Sequence, residues 1–249
     1  RMIEVKNISK EYADDNGFKN VILKDVSLNI PSEKITSVIA PNGSGKSLLL
    51  KIISGLEQAT SGEVINSRDR KIVYIPSQPS SFPWLNVEEN ISLGLQKKDS
   101  SEIKSIIKFV GLEGYELFYP NNKSYGFRFR IALARSLAHN PAAILLDEPF
   151  HQMDLQTKKE ILLLILEAQN TFKTTFLLAT TNITEALFLS DNIYLMKKSP
   201  GEIISDLPVD LPKERNELIF DSEKFIQLRS QIEKSFKKID SQKLFNLSI

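Results

Sequence analysis

The 249-residue chain contains no cysteine, one tryptophan and two histidines. Without cysteine there are no disulfides, thiolate nucleophiles or thiolate metal sites, which fits a reducing compartment. No apolar run approaches the roughly eighteen residues that a membrane-crossing helix needs. No basic-then-apolar leader opens the chain, so a soluble, unexported protein is expected. Charge of one sign is missing as well, since 32 Lys and Arg stand against 31 Asp and Glu for a net +1. That balance gives no electrostatic footprint for nucleic acid or an anionic membrane, and nucleic acid is not an expected partner. There is no internal repeat and no low-complexity segment. The length suits one large domain, with or without a subdomain, and a sizeable core.

What is present centres on Ala40-Pro41-Asn42-Gly43-Ser44-Gly45-Lys46-Ser47. Ahead of it, the β-branched run Ile35-Thr36-Ser37-Val38-Ile39 predicts a buried strand. Behind it, Leu48, Leu49, Leu50, Ile52 and Ile53 predict a helix closed by Gly55. A strand, a glycine-bearing loop and Lys-Ser at a helix start make a phosphate-binding loop, where backbone N–H groups and the positive helix end converge on an anion. Lys46 would reach the β- and γ-phosphates, and the Ser47 hydroxyl would ligate Mg2+. The pattern G-x-x-x-x-G-K-[ST] is missed only at its first place, where Ala40 stands for glycine. Strain is expected there if that residue needs a positive φ.

The rest of the chain alternates strands and helices. Ile3, Val5 and Ile8, then Val26, Leu28 and Ile30, mark two strands with one wet face. Between them Tyr12 precedes the polar turn Asp14-Asp15-Asn16-Gly17, where its ring can stack on a nucleobase or pack on a sheet edge. Strands are predicted at 61–65 and 71–75, the second running into Pro76-Ser77-Gln78-Pro79. Helices are predicted at 86–95 and 101–110, the latter capped by Ser100 or Ser101, and a third at 129–138 ends before Asn140-Pro141. Residues 79–140 thus form a helical insertion. The apolar run from Ala142 to Leu146 predicts a strand buried on both faces that delivers Asp147 and Glu148. Asp147 would hold Mg2+, and Glu148 would polarise an attacking water. Helix 158–168, strand 175–179, helix 184–189 and edge strands 193–196 and 202–205 follow. A Ser222-capped tail helix carries Phe225, Leu228, Ile232, Phe236 and Ile239 on one stripe, expected to dock on the domain.

These motifs and the helical insertion resemble the ATP-binding subunit of ABC transporters over nearly the whole chain. The resemblance implies an α/β P-loop NTPase fold: a RecA-like core with an antiparallel β subdomain (1–78 and 141–205), an inserted α-helical subdomain (79–140) and a C-terminal helical tail (206–249). It implies ATP and Mg2+ as ligands, with Tyr12 as the adenine-stacking aromatic and Gln78 linking Mg2+ and the γ-phosphate to the helical insertion. Asp154 matches the aspartate of the loop after the second carboxylate. Lys123-Ser124-Tyr125-Gly126-Phe127 lies where the signature LSGGQ belongs and would cap ATP held by a partner subunit. Segments 82–90, 200–204 and 208–212 look like the importer branch serving nitrate, sulfonates and taurine.

The departures from the family matter. The signature keeps Ser124 and Gly126, but Tyr125 puts bulk where backbone should approach phosphate. Leu48 replaces a threonine that would contact phosphate. In Ala179-Thr180-Thr181-Asn182, Thr181 takes the place of the family's histidine; its hydroxyl is a shorter donor that cannot carry positive charge. His139 and His151 stand elsewhere, in solvated structural positions. The resemblance implies a slow ATPase, with catalytic roles at Glu148, Gln78 and Thr181, or alternatively a regulatory nucleotide-binding module. It also implies a homodimer or heterodimer with another ATP-binding subunit, a transmembrane permease contacted near Trp84, and a solute-binding protein reached indirectly. The chain would sit in the cytoplasm, peripheral on the inner face of the membrane.

Overall fold

The computed structural model describes residues 2–15, 17–67, 70–79, 81–95 and 99–246, with side chains as far as 238. Asn16 of the expected turn and the Ile239 side chain of the expected stripe lie outside the described residues. β1 (Met2–Ala13) and β2 (Lys19–Pro31) form a hairpin, and β3 (Ile35–Ile39) enters the glycine loop and α1 (Lys46–Ile53). β4 (Ser61–Asn66) and β5 (Ile72–Ile75) follow, then α2 (Val87–Ser92), α3 (Ser100–Phe109) and α4 (Tyr125–Ala138). β6 (Ala143–Asp147), α5 (Leu155–Phe172), β7 (Phe176–Thr180) and α6 (Ile183–Leu189) come next. β8 (Asn192–Lys197), β9 (Glu202–Pro208), a 3-10 turn (Glu217–Asp221) and α7 (Glu223–Asn246) complete the chain.

One sheet is antiparallel, in the order β2-β1-β4. Its inward residues are the alternating Ile3, Val5, Ile8, Val26, Leu28 and Ile30, as a half-buried sheet requires. Both hairpin strands run to the turn, so Tyr12 sits in β1 opposite Asn20 rather than in a loop. The second sheet has the order β5-β6-β7-β3-β8-β9, parallel except for the β8–β9 pair.

Every residue of β3, β6 and β7 is buried. Along β6 the side chains alternate between two cores. Ala143 and Leu145 join α1 and the antiparallel sheet, while Ile144 and Leu146 join the helices of the other layer. Double-sided burial is why the run is apolar without alternation. Because β3, β5, β6 and β7 are parallel, their carboxyl ends share one edge, where ligands of open α/β sheets bind. The glycine loop, Gln78, Asp147-Glu148 and Thr180-Thr181 all leave the sheet there.

Caps set the helix starts. Asn86 and Glu89 form a reciprocal capping box on α2, each bond 2.8 Å. The cap of α3 is Asp99 rather than Ser100 or Ser101. Its Oδ1 accepts the N–H of Ser101 at 2.8 Å and of Glu102 at 3.3 Å, and a carboxylate is favoured at a helix N-terminus. α4 begins four residues before the expected Phe129, because Ser124 Oγ accepts the Phe127 N–H at 3.2 Å.

The tail docks as expected: Phe225, Leu228 and Ile232 are buried, and Phe236 packs on the same core. Phe220 stacks on Phe188 of α6 at 5.2 Å and meets Phe225 edge-on at 5.4 Å. Phe225→Ala should therefore destabilise the whole domain by about 3–5 kcal/mol. A denaturant titration should show one transition with a lowered midpoint; an unchanged midpoint would mean that α7 folds apart from the domain.

Candidate functional site

The glycine loop is built against β2 and β7. Gly45 is the N-cap of α1 at φ 87°, a left-handed backbone that a β-carbon would strain. Ala40 has no such need. It is absent from the residues with positive φ, it is buried, and its N–H donates to Thr180 O at 3.2 Å. The strain expected at this departure from the glycine pattern is therefore not present. Asn42 and Gly43 stand exposed at the loop apex and Pro41 is half-buried, while Ser44 is buried with a hydroxyl that has no partner among the described residues.

The loop is braced from behind by Gly201, in the β8–β9 turn. Its N–H donates to Ile22 O at 2.8 Å, and its carbonyl accepts the Lys24 N–H at 3.0 Å. A β-carbon here would run into the Ser44 carbonyl oxygen and stand 3.0 Å from Leu23 Cδ2. Sequence alone gives Gly201 no site role, because its neighbour in space is 157 residues away along the chain.

Two carboxylates face the loop. Asp147 is buried, with Oδ1 accepting the Ser47 hydroxyl at 3.0 Å and Oδ2 accepting the Tyr74 hydroxyl at 2.8 Å. Burial, reinforced by the bond to Asp147, pushes the Tyr74 phenol up and keeps it a donor. Glu148 has a left-handed backbone, φ 45°, secured by its N–H bond to Ala179 O at 2.9 Å. Such a conformation costs about 1–3 kcal/mol and persists where surroundings impose it. It aims the carboxylate at two groups. Oε1 lies 3.1 Å from Lys46 Nζ, an ion pair without hydrogen-bond alignment, and Oε2 accepts the Thr180 hydroxyl at 3.3 Å. Lys46 is itself buried, with Nζ also 3.3 Å from Asn42 Oδ1.

Among the described residues, no hydrogen bond or ion pair joins the other candidate residues to these groups. Gln78 is exposed on the loop after β5, and Thr181 is exposed beside the buried Thr180. It is Thr180, not Thr181, that touches Glu148. Leu48 packs partly into the core beneath α1. Tyr12 is 46% exposed, with Lys10 Nζ 4.9 Å from its ring centroid. Lys10 is fixed by Glu57 and the Gln58 carbonyl, both at 2.7 Å. His139 and His151 are exposed, and His139 Nε2 pairs with Leu93 O at 2.9 Å.

Among the described residues, no hydrogen bond or ion pair joins Ser124, Tyr125 or Gly126 to the glycine loop. Ser124 is exposed at the start of α4, and Gly126 is buried against Thr157, which Asp154 holds at 2.7 Å. Tyr125 corrects an expectation. It is only 8% exposed, with its ring 5.2 Å from the Arg128 guanidinium, so its bulk packs inside the protein instead of standing before a phosphate.

The site offers hard oxygen ligands and one buried ammonium. Among the described residues no three His, Cys, Asp or Glu side chains converge on a metal position. Ser47 Oγ with Asp147 behind it fits Mg2+, which takes few protein ligands and completes its shell from substrate phosphates and water.

Residues 23–151 match the family model described as ABC transporter. The chain is 35% identical over 243 residues to the aliphatic sulfonates import ATP-binding protein SsuB of Bacillus thuringiensis subsp. konkukian, covering 94% of this chain and 95% of the relative. It is 37% identical over 201 residues to SsuB 1 of Pseudomonas savastanoi pv. phaseolicola, covering 80% and 84%. In three dimensions it is similar to MJ0796, a bacterial ABC transporter cassette solved as a dimer, with TM-score 0.72 and 29% identity over 85% of this chain and 100% of that one. The same cassette in a post-hydrolysis state with ADP and Pi matches with TM-score 0.72.

Gly201→Ala should displace the glycine loop, because the added methyl meets backbone rather than a yielding side chain. We expect a loss of about 1–3 kcal/mol in stability together with weaker nucleotide binding. Paired thermal melts and nucleotide titrations check this, and unchanged binding would show that the brace is dispensable.

Proposed function

Because the chain belongs to the ABC transporter family, with that family's P-loop ATPase fold, we propose that it is the ATP-hydrolysing subunit of an importer of a small nitrate-, sulfonate- or taurine-like solute. The observation that carries this reading is Lys46 held between Asn42 and Glu148, beside the Ser47–Asp147 bond. A phosphate-binding loop and a general base thereby share one edge of the sheet.

In this reading the loop N–H groups and Lys46 bind the phosphates, and Tyr12 stacks on the adenine. Ser47 and Asp147 would hold Mg2+, with Gln78 reaching toward it from the loop after β5; the ion would supply neutralisation of phosphate charge. Glu148 accepts a proton from water as the water oxygen bonds to the γ-phosphorus and the bond to the ADP oxygen breaks. Residues 1–78 and 141–205 make the catalytic core, 79–140 the helical unit and 206–249 the tail.

Ser124 and Gly126 stand apart from their own glycine loop, so they complete the site of a second ATP-binding subunit, the same chain or a relative. The dimeric assembly of the MJ0796 cassette supports that arrangement. A permease contact is supported by two exposed apolar side chains on adjoining segments. Trp84 is 70% exposed and Leu117 is 74% exposed. Their segments are joined by N–H bonds from Val87 to Phe118 O and from Glu88 to Glu116 O, at 2.9 and 3.0 Å. The Phe82–Leu85 turn is wrapped around the buried Asn90 side chain, which bonds the backbone of Phe82, Leu85 and Asn86 at 2.8–3.0 Å. No helix among the described residues is long and apolar enough to cross a membrane. In this reading attachment at the inner face of the membrane runs through that permease.

Turnover is slow in this reading, because Thr181 offers the γ-phosphate no cation and Leu48 offers no hydroxyl. Lys46→Ala should abolish ATP binding in a titration. Glu148→Gln should cut steady-state phosphate release by roughly 10²–10⁴-fold while leaving ATP affinity intact. Equal turnover in wild type and Glu148→Gln would favour a regulatory nucleotide-binding module.

Thr181→His should raise turnover at constant ATP affinity by restoring a longer donor where charge develops. A flat rate in that variant would remove the case for attenuation at this position.

A further inference from the structure

Thr180 ends β7 with 0% exposure, and its hydroxyl has one proton and three polar neighbours. Oγ1 accepts the Asn182 N–H at 3.0 Å. It lies 2.9 Å from Glu185 Oε2 and 3.3 Å from Glu148 Oε2. Glu185 is buried, and its other oxygen accepts Lys158 Nζ at 2.8 Å. A single O–H serves one carboxylate well at a time. When it points at Glu185, Glu148 Oε2 faces oxygen lone pairs; when it points at Glu148, Glu185 keeps Lys158. The lysine therefore makes the second orientation tolerable, and the Asn182 N–H fixes the oxygen in either.

We propose that Thr180 is a positioning residue for Glu148, resting on the reading that Glu148 takes the proton from the attacking water. Lys46 and Thr180 grip opposite oxygens of the same carboxylate. Phosphate entering the loop competes with Oε1 for Lys46, and the grip on Oε2 then holds the carboxylate in place with Oε1 turned to the water. Glu185 and Lys158 act as the backstop that sets the hydroxyl. Valine has the shape of threonine without the donor, and serine has the donor without the methyl, so the two variants separate the hydrogen bond from packing.

The experiment uses the full chain, following phosphate release and ATP binding in Thr180→Val and Thr180→Ser, alone and with Glu148→Gln. Thr180→Val should lower kcat by roughly 10- to 100-fold, as expected for losing one hydrogen bond to a charged group, with ATP affinity within about twofold of wild type. Thr180→Ser should restore most of the rate. In the Glu148→Gln background, Thr180→Val should have no further effect, because it acts through the residue already removed. A wild-type kcat in Thr180→Val, a matching fall in ATP affinity, or the same fold-loss in the Glu148→Gln background would each overturn the proposal. If Thr180→Val does not fold, Thr180→Ala takes its place with the same outcomes, since alanine also removes the donor. If Glu148→Gln alone leaves turnover unchanged, the base assignment fails, and that result is distinct from any failure at Thr180.

Discussion

The structure depends on three strands with no solvent side. β3, β6 and β7 are buried from end to end, and their side chains alternate between a helical core and a core shared with the antiparallel sheet. A one-residue slip of any of them would exchange the two sets of side chains, so register is strongly specified. That register fixes where each strand stops. Asp147 lies opposite Ala179, and Ile39 lies opposite Thr180. The glycine loop and the two carboxylates that face it are thereby aligned by packing rather than by their mutual attraction.

Charge then refines what packing delivers. A buried lysine beside a glycine loop is tolerated because Glu148 neutralises it, and buried Asp147 is tolerated because both its oxygens accept hydrogen bonds. The left-handed backbone of Glu148 is the strained point of this arrangement, and it lies where the carboxylate must face inward.

The parts legible in the sequence are those whose physics is local. The β-branched run before Ala40, the apolar run before Asp147, and the Lys-Ser at a helix start each carry their meaning within about ten residues. Tyr74, Thr180 and Gly201 do not, because their roles come from register and from neighbours distant in sequence. The only local trace of Tyr74 and Thr180 is a polar group in an apolar run, and Gly201, between Lys197-Lys198-Ser199-Pro200 and Glu202, reads as an ordinary turn glycine. Tyr125 misleads for the same reason: its place in a motif suggests an outward ring, and only the packing of α4 turns it inward. The early start of α4 escapes because Tyr125-Gly126-Phe127-Arg128 lacks helical periodicity, and the start is set by the Ser124 cap.

The wrapping of Asn90 by the Phe82–Leu85 turn has a mechanical consequence. An exposed tryptophan on a loose loop would lose conformational freedom on meeting a partner, at about 1–2 kcal/mol for each backbone residue ordered. Here that ordering is largely made in advance, since three bonds from one buried side chain hold the turn and a fourth holds Asn86 behind it. The turn joins directly to α2, whose capping box stiffens the junction. Trp84 is therefore carried on a turn that is tied to α2 through the Asn90 side chain.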